Sequence, residues 1–396
     1  MTKPKVLIVH NYYQASGGED TVVENESNML RENEHEVVFY SRHNDEIKSR
    51  GVLGKIKLFF ESIFSIKTYR EVKKVIKEEK IDIVHVHNTL PLISPSVYYA
   101  AFSKRIPVVQ TIHNFRLLCP AATFTVNDKI CEECIQVGLG TALKYKCYRN
   151  SYSQTFAMVV ILKTHRILKT YQKVNGYIAL TEFNKIKLLN LIKDENKVYV
   201  KPNFVKCVKN NNSKKRKIKN YFVFIGRLDR LKGIDLIAEC WKDIKDSELI
   251  VIGDGPFKKE LEEFIYENNI KNIEVLGYMK REDAFEIIKY STAIIIASQC
   301  YEGFPLTIVE SFSLGVPVIG GDIGNVGSII NNNNGLLFKY DSKEDLKSKV
   351  EMLINNKGLN EKLNDGAFKD FNKNYTDKIN YKCLENIYSE LIEKYK

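Results

Sequence analysis

The sequence contains no long apolar run. Its longest uninterrupted apolar stretches are typified by Ala157–Leu162, far below the roughly 18 residues that a membrane-spanning helix requires. The N-terminal Met-Thr-Lys-Pro-Lys leads into five apolar or near-apolar residues, Val6 to His10, too few for the core of a signal peptide. We therefore expect a cytoplasmic protein, whose contact with a membrane would at most be peripheral, on the inner face.

Common phosphate- and metal-binding signatures are missing as well. Neither G-x-G-x-x-G nor G-x-x-x-x-G-K-[ST] occurs, which removes the motif support for nicotinamide-dependent dehydrogenases and for P-loop enzymes. The sequence also has no D-x-D and no repeat of fixed period. The absence of a repeat of fixed period argues against solenoid and propeller folds.

What is present favours a two-domain enzyme. The 396 residues are 44% hydrophobic and 28% charged and include 22 Tyr, 20 Phe and 1 Trp, which excludes disordered, collagen-like and coiled-coil chains. At roughly 100–200 residues per domain, this length favours two domains. The net charge of +11 favours an anionic partner, but it does not choose among nucleic acid, nucleotide phosphates and acidic lipid.

Short β-branched runs alternate with longer amphipathic stretches, the pattern of parallel strands joined by crossover helices. The first set of predicted strands comprises 5–10, 36–40, 82–87, 108–113, 177–181 and 198–201. The second set comprises 221–225, 249–252, 273–276, 293–297, 316–319 and 336–338. We therefore predict an α/β fold of two Rossmann-like, doubly wound domains that face each other across a cleft.

The domain boundaries follow from a change in composition. Residues 206–220 hold seven basic residues and four Asn with almost no apolar periodicity, which predicts an exposed linker in preference to a nucleic-acid-binding tail. The N-terminal domain is then 1–205 and the C-terminal domain 221–375. A final helix within 376–396 is expected to pack back on the first domain.

Two loops that follow predicted strands have the residues of a phosphate site, because ligands of parallel sheets bind beyond the carboxyl ends of the strands. Gly17 and Gly18 precede a helix and would let backbone N–H groups approach a phosphate, although an ordinary turn explains them equally well. Arg227 and Lys232 lie just past the strand 221–225. A guanidinium and an ammonium group five residues apart can hold a diphosphate from two sides; the alternative is a pair of solvent-facing charges.

The strongest signal follows the strand 293–297, where Glu302 and Glu310 bracket the turn Gly303-Phe304-Pro305. Glu302 would lie in the loop and accept hydrogen bonds from a sugar. Glu310 would lie about two turns into the next helix, suited to the paired hydroxyls of a ribose. Backbone N–H groups of residues 304–306, ending at Leu306, would meet phosphate or sugar oxygens.

Taken together, these features resemble the retaining glycosyltransferases of family 4, which have the GT-B fold. The resemblance rests on the E-x7-E pair Glu302/Glu310, on G-R-L-x-x-x-K-G at 226–233, on the turn at 253–256 and on G-V-P-V-I at 315–319. It covers nearly the whole chain, in the family's order. It implies a transferase that moves a sugar from a nucleotide-diphosphate sugar, held mostly by the second domain, to an acceptor held mostly by the first.

The resemblance also implies roles for individual residues. Arg227 and Lys232 would hold the diphosphate, Glu310 the ribose and Glu302 the transferred sugar, while Gly18 would face the phosphates. His113 matches the family's active-site His near the sugar. The family usually has Asp after that His, whereas this chain has Asn114, which puts in doubt any role that needs a carboxylate there.

The implied reaction is transfer with retention, in which cationic side chains and helix-start amides stabilise the leaving diphosphate. The missing D-x-D fits a reaction that requires no metal cofactor. The acceptor is expected to be a lipid-linked glycan of a cell-surface polysaccharide, with no nucleic-acid partner. Two alternatives remain: a nucleotide-sugar 2-epimerase or phosphorylase on the same fold, and a non-catalytic basic protein that binds nucleic acid.

Three further features lie outside that pattern. Cys119, Cys131, Cys134 and Cys147 have the spacing C-x11-C-x2-C-x12-C, which fits a structural zinc site about as well as it fits free thiols, and redox chemistry less well. Residues 51–79 predict a basic amphipathic helix, which either lies on an anionic membrane or packs on the core. His85 and His87 share one face of a strand, as a metal pair or, with better support, in a structural role.

Overall fold

The structure is a computed structural model, which describes residues 3–14, 17–48, 51–206 and 220–395, apart from the side chain of Val52. The predicted basic linker lies outside the described residues except for its ends, Lys206 and Asn220. The chain divides into two compact units. The first comprises 1–123, 131–203 and 378–396, and the second comprises 124–130 and 204–377.

The strands and helices alternate along the chain. The strands are β1 (Val6–Tyr12), β2 (Val37–His43), β3 (Ile83–Asn88), β4 (Val108–Ile112), β5 (Thr125–Val126), β6 (Lys129–Ile130), β7 (Gly176–Ala179), β8 (Val198–Val200), β9 (Tyr221–Ile225), β10 (Glu248–Ile252), β11 (Ile273–Gly277), β12 (Ala293–Ile296), β13 (Val318–Gly321) and β14 (Gly335–Phe338). The helices are α1 (Gly18–Glu32), α2 (Val52–Ile63), α3 (Ile66–Glu78), α4 (Ser96–Phe102), α5 (Glu133–Gln136), α6 (Thr141–Lys144), α7 (Tyr152–Ile167), α8 (Thr170–Lys173), α9 (Glu182–Ile192), α10 (Ile234–Trp241), α11 (Lys258–Glu267), α12 (Arg281–Tyr290), α13 (Leu306–Ser313), α14 (Gly324–Ile329), α15 (Lys343–Asn355), α16 (Lys357–Asn374) and α17 (Asp377–Tyr395). Short 3-10 turns lie at Asn44–Ile47, Glu195–Lys197 and Arg230–Lys232.

Each unit is built around a six-stranded parallel sheet. The strand order is β2-β1-β3-β4-β7-β8 in the first unit and β11-β10-β9-β12-β13-β14 in the second. The central strands are rich in Val and Ile and are buried on both faces, as expected of a sheet covered by helices on both sides. The order reverses direction next to the first strand of each unit, which is the doubly wound topology. The predicted fold class is confirmed.

Buried apolar clusters hold the helices on the second sheet. One cluster joins β9, β12 and β13 to α12, α13 and α16, and another joins the same sheet to α10, α11 and α15. Trp241, fully buried in the second cluster, packs edge-on against Phe222 with 5.7 Å between ring centroids. None of the described helices combines the length and the apolar composition that a membrane crossing needs.

The predicted strands are all present, with their ends shifted by a few residues, but two local predictions need correction. Residues 51–79 form two helices in place of one, because Phe64 is extended and the Ser65 hydroxyl caps α3 by accepting a hydrogen bond from the Thr68 N–H at 3.1 Å. Such a cap starts a new helix. The hairpin β5–β6 was not predicted, and it groups with the second unit although its sequence falls within 1–205.

The last helix, α17, belongs to the first unit from Lys378 onward. Its Tyr388 hydroxyl lies 2.7 Å from His85 Nδ1, and its Asn380 side chain accepts a hydrogen bond from Lys201 at 3.0 Å. These contacts join the end of the chain to strands β3 and β8. The core of the first unit is therefore completed by residues that follow the whole second unit.

Candidate functional site

The ends of β9 and β12 bring a lysine and a glutamate together in the second unit. Lys232 Nζ lies 2.6 Å from Glu302 Oε1, and the Ser298 hydroxyl donates a second hydrogen bond to that oxygen, also at 2.6 Å. Burial alone would raise the pKa of Glu302, but the Lys232 ammonium outweighs it and holds the pKa below its usual value. Likewise, burial lowers the pKa of Lys232, but Glu302 outweighs it and the net pKa is raised. The two groups are therefore a charged pair at neutral pH.

Backbone geometry explains why Lys232 reaches the end of β12. Gly233 has a φ of +68°, and a Cβ at that position would lie 2.0 Å from the Ala297 carbonyl oxygen. Only glycine allows this close approach in the left-handed region. The loop that carries Glu302 is held from the other side, because the Asn325 amide donates to the carbonyl oxygens of Glu302 and Gly303.

Arg227, the other predicted diphosphate ligand, is not held in a close ion pair as Lys232 is. Its side chain is 69% exposed, and its Nε lies 3.8 Å from an oxygen of Asp229. Asp229 itself accepts a hydrogen bond from the Leu231 N–H at 3.0 Å and so caps the short turn at Arg230–Lys232. The guanidinium is available to a ligand at low cost, because an exposed contact at this distance is weak.

Glu310 lies on α13, where two sequence-based details need correction. It is the fifth residue of that helix, a little over one turn from its start and not two. Its carboxylate accepts a hydrogen bond from Arg281 Nε at 2.9 Å. Burial raises the pKa of Glu310, and Arg281 opposes that shift.

The second correction concerns the backbone donors predicted at residues 304–306. Pro305 has no N–H, so only the amides of Phe304 and Leu306 can donate there.

In the first unit, α1 begins at Gly18 itself, so Gly18 lies inside the helix that the two glycines were predicted to precede. The Asp20 carboxylate accepts a hydrogen bond from the Gly17 N–H at 3.2 Å, and its other oxygen lies 2.8 Å from His10 Nε2 at the end of β1. A cavity of about 580 Å³ opens beside this turn. Its lining includes Tyr12, Gln14, Asp20, Glu24, Arg31 and His43.

His113 ends β4 and is the outer member of a row of imidazole rings. It stacks on His87 with 5.1 Å between centroids, and His87 stacks on His85 at 4.3 Å. His87 Nδ1 and His113 Nε2 are hydrogen-bonded at 2.9 Å. Burial lowers the pKa of His85 to about 4 and holds the pKa of both His87 and His113 well below the usual value. The three rings are therefore neutral at physiological pH.

A buried ion pair lies at the inner end of this row. Glu26 Oε2 lies 2.7 Å from Lys201 Nζ, and Glu26 Oε1 lies 3.1 Å from His85 Nδ1 and 3.5 Å from His87 Nε2. The carboxylate favours a proton on His87 Nε2. His87 Nδ1 is then the acceptor and His113 Nε2–H the donor, which leaves His113 Nδ1 able to accept a hydrogen bond.

The same residues test the hypothesis of a metal at the His85/His87 pair. Glu26, His85 and His87 bring three potential ligand atoms within 4.8 Å of one another. The Lys201 ammonium already neutralises the carboxylate, and His85 Nε2 is hydrogen-bonded to the Thr111 hydroxyl at 2.8 Å. A divalent cation would have to sit beside a buried positive charge. The contacts favour the structural role.

Asn114, which stands where the family usually has Asp, donates a hydrogen bond to the Glu19 carboxylate at 3.4 Å. The Tyr13 side chain is also hydrogen-bonded to this carboxyl group. Burial, with the nearby Asp20 charge, raises the pKa of Glu19 to about 8. Glu19 is thus a largely protonated carboxyl group at neutral pH, placed next to the residue that follows His113.

Several residues of these clusters were not predicted from the sequence: Glu26, Lys201, Glu19, Arg281, Ser298 and Asn325. Glu26 and Lys201 are 175 residues apart in the chain, so no local pattern connects them. A weak signal did exist for Ser298 and Asn325, since polar residues directly after a parallel strand or at a helix start tend to lie at the ligand edge of the sheet. The four predicted zinc ligands all lie in the first unit, and none of them is in a disulfide.

Comparisons with known proteins identify the family and the fold of this chain. Residues 16–209 match the family model described as Glycosyltransferase Family 4, and residues 208–370 match that of Glycosyl transferases group 1. An uncharacterized glycosyltransferase of Methanocaldococcus jannaschii is 25% identical over 98% of both chains. The UDP-Gal:alpha-D-GlcNAc-diphosphoundecaprenol alpha-1,3-galactosyltransferase of Escherichia coli is 27% identical over 75% of this chain and 73% of its own. The crystal structure of a glycosyltransferase from Rickettsia africae has the same fold, with a TM-score of 0.71, 19% identity and 99% of each chain covered.

Proposed function

This chain belongs to the group 1, family 4 glycosyltransferases with the GT-B fold, and we propose that it transfers a sugar from a nucleoside-diphosphate sugar to a lipid-linked glycan acceptor. The transfer would retain the anomeric configuration and serve cell-surface polysaccharide assembly on the cytoplasmic side of the membrane. The observation that carries the proposal is the paired Lys232, Glu302 and Ser298 at the ends of β9 and β12. It supplies a cation for a diphosphate and a carboxylate for sugar hydroxyls in one place.

The donor would replace contacts that the ligand-free protein makes internally. A diphosphate would take the Lys232 ammonium and the exposed Arg227 guanidinium, and Glu302 would turn to the transferred sugar. Glu310, held by Arg281 at 2.9 Å, would accept from the ribose hydroxyls. Within the second unit, the helix-start amides of Phe304 and Leu306, beside Gly303 and Pro305, would meet the remaining phosphate or sugar oxygens.

The reaction would depend on stabilising the leaving diphosphate. Negative charge develops on it as the glycosidic bond breaks, and Lys232 and Arg227 would stabilise that charge without a metal cofactor. His113 would accept a hydrogen bond from a sugar hydroxyl through Nδ1, the nitrogen left free by its bond to His87. A neutral imidazole suits this role, because a protonated ring could only donate.

The acceptor would occupy the cavity of about 580 Å³ beside α1. Its lining mixes the aromatic rings of Tyr12 and Tyr13 with the carboxylates of Asp20 and Glu24, a set that can contact sugar faces and hydroxyl groups. The lipid-linked acceptor is supported by the relative from Escherichia coli, whose name specifies a diphosphoundecaprenol-linked sugar. That name also supports a UDP-sugar as the first donor to test.

Donor binding and product analysis test the proposal directly. We expect one nucleoside diphosphate or its sugar to raise the melting temperature selectively, with and without EDTA. We expect Lys232→Ala to lower turnover on the order of 100-fold, while Lys259→Ala, whose side chain is 87% exposed on α11, leaves it unchanged. Equal activity of the two variants would contradict the role of Lys232. A product formed from donor alone would indicate an epimerase, and salt-sensitive RNA binding without nucleotide affinity would indicate a nucleic-acid-binding protein.

The membrane contact would be made by α2. Leu53, Ile56 and Phe60 are 82%, 53% and 62% exposed and follow the i, i+3, i+7 spacing of one helix face, with exposed Lys55 and Lys57 nearby. An exposed apolar face with flanking cations is typical of interfacial helices. This surface would hold the enzyme where a lipid-linked acceptor is found.

Vesicle sedimentation tests the membrane contact. We expect binding to phosphatidylglycerol vesicles and little binding to phosphatidylcholine vesicles, because Lys55 and Lys57 attract anionic headgroups. The double change Leu53→Ser/Phe60→Ser should abolish it. Ile186→Ser is the matched control, since Ile186 is 63% exposed but lies on α9. Equal loss in both variants, or none in either, would overturn the assignment to α2.

A further inference from the structure

The segment from Asn114 to Ser151 follows His113 and has little regular structure of its own. It contains the four-residue helices α5 and α6 and the two-residue strands β5 and β6. The backbone is left-handed at seven non-glycine residues: Ala122, Phe124, Asn127, Asp128, Lys146, Arg149 and Asn150. Long segments with so little secondary structure are uncommon in compact domains and are usually functional or disordered. The proposed function assigns this segment no role.

Cys119, Cys131, Cys134 and Cys147 all lie in this segment, and none of the four is in a disulfide. Cys119 and Cys134 are only 5% and 6% exposed, and their thiols are hydrogen-bonded to each other. Cys147 packs against the same apolar cluster as Cys134, and Cys131 lies three residues before Cys134. We propose that these four cysteines bind one structural zinc ion, with all four ligands sulfur.

The surroundings of the thiols favour sulfur ligands over carboxylates. Glu132 and Glu133 lie between Cys131 and Cys134 in the sequence, but they have other partners. Glu132 pairs with Lys187 at 2.5 Å, and Glu133 accepts a hydrogen bond from the Tyr145 hydroxyl at 3.0 Å. A C-x2-C pair with two further cysteines is a common tetrahedral zinc set.

Charge balance also favours a metal thiolate. Four thiols that bind Zn²⁺ release four protons and leave a site of net charge −2. Arg166 supplies a compensating charge: its Nη2 donates to the Leu117 carbonyl at 2.8 Å, while its buried Nε has no hydrogen-bond partner.

Zinc binding requires the four sulfurs to come closer together than they are in the unliganded protein. Within the described part of the chain, Glu26, His85 and His87 form the one set with three ligand atoms mutually within 4.8 Å, so the four sulfurs are spaced more widely than the ligands of a bound ion. Cys131 and Cys147 are only partly buried, and their side chains can turn toward the buried pair. Closure would fix the segment that carries Asn114 and Arg116.

Metal analysis of the full chain, purified without chelators under reducing conditions, tests the proposal independently of any transferase activity. We expect about one zinc per chain, and about one equivalent lost on Cys134→Ser or Cys131→Ser. Cys240→Ser is the matched control, because Cys240 is a fully buried free thiol of the second unit. It should keep its zinc.

A second readout covers the case in which those variants do not fold. Metal-free, reduced wild-type protein should bind about one Co²⁺ with the strong sulfur-to-cobalt absorption of a tetrahedral tetrathiolate site, and Zn²⁺ should displace it. Binding should weaken as the pH falls, because protons compete for the thiolates. Substoichiometric zinc in the purified protein together with no such Co²⁺ spectrum would overturn the site.

Discussion

Glu26 and Lys201 form an ion pair that is almost completely shielded from water, with side-chain exposures of 0% and 1%. Such a pair contributes little net stability, but removing one partner leaves a buried charge uncompensated. Lys201 also donates to Asn380 at 3.0 Å, so its position is fixed by α17 as well as by Glu26. Glu26 in turn sets the proton arrangement of the histidine row that ends at His113.

We predict that Glu26→Gln lowers the free energy of unfolding by about 3–5 kcal/mol, because Lys201 keeps a full charge without a carboxylate beside it. Urea denaturation with unchanged m-value measures the loss. The double variant Glu26→Gln/Lys201→Met should regain much of it. Glu195→Gln is the control: Glu195 pairs with Lys185 at 2.8 Å, but it is 70% exposed, so little change is expected. Similar losses for the two single variants would contradict the prediction.

The neutral state of His85, His87 and His113 gives a second prediction. Burial lowers the pKa of His85 from 6.5 to about 4, and it also holds the pKa values of His87 and His113 well below 6.5. The unfolded chain takes up protons near the usual pKa while the folded protein does not. The stability that these three neutral rings contribute is therefore fully present above about pH 6.5, and this contribution is lost as the pH falls toward 4.

Histidine-labelled protein followed by NMR measures this directly. Between about pH 7.5 and about pH 5.5 the ring signals of these three residues should not shift, while free histidine added to the sample titrates normally. Assignment by His→Gln variants identifies the rings. A midpoint near 6.5 for any of the three would show that water reaches the row, and it would remove the argument that His113 Nδ1 is a fixed acceptor.

At the scale of elements, Gly233 lies between the turn at Arg230–Lys232 and α10, next to the proposed donor site. We predict that Gly233→Ala lowers the free energy of unfolding by at least about 2 kcal/mol, because its φ of +68° is unfavourable for alanine and the new Cβ would clash with the Ala297 carbonyl. Nucleotide affinity should fall with it, since Lys232 precedes this residue.

The control for this variant is Gly358→Ala. Gly358 lies in α16, and a Cβ there would meet Asn356 Oδ1 at an ordinary 3.6 Å. Alanine at a helical glycine should leave stability unchanged or raise it by up to about 1 kcal/mol. Thermal and urea unfolding compare the two variants. A Gly233 variant as stable as the Gly358 variant would mean that the loop can relax away from β12.

The elements also show what sequence patterns can and cannot predict. Buried parallel strands were found because runs such as Ala293–Ile296 are apolar and β-branched throughout. The break between α2 and α3 was missed because the apolar spacing continues across it, while the Ser65 cap is a single hydroxyl. Glu310 and Glu302 were found as a spaced pair, but their partners Arg281 and Lys232 lie 29 and 70 residues away, beyond any periodicity.

At the scale of the molecule, the first unit is built from segments that are far apart in the sequence. The chain leaves that unit near Asn203, builds the second unit and returns in α17. The returning helix makes three contacts with two strands of the earlier sequence. Tyr388 lies against His85 in β3, Asn380 binds Lys201 directly after β8, and Glu390 accepts a hydrogen bond from the hydroxyl of Tyr199 in β8 at 2.8 Å. The first unit is therefore not a contiguous piece of sequence.

This arrangement predicts that residues 1–205 do not fold stably alone. Six apolar side chains of α17 are buried: Tyr381, Leu384, Ile387, Tyr388, Leu391 and Ile392. At about 1.5–3 kcal/mol for each fully buried side chain, their removal costs roughly 10 kcal/mol, which is comparable to the total stability of an ordinary domain. It also exposes the Lys201 ammonium and the histidine row to water. Joining 376–396 to residue 205 through a short flexible linker should restore cooperative folding.

Urea unfolding monitored by circular dichroism compares three fragments: 1–205, 1–205 joined to 376–396, and 1–205 joined to a scrambled α17 of the same composition. We expect a sigmoidal transition in the second alone, because Tyr388 and Asn380 must meet His85 and Lys201 in register. A cooperative transition of 1–205 at the same midpoint would mean that α17 covers an already complete core. Rescue by the scrambled helix would mean that apolar bulk suffices and the buried polar contacts are secondary.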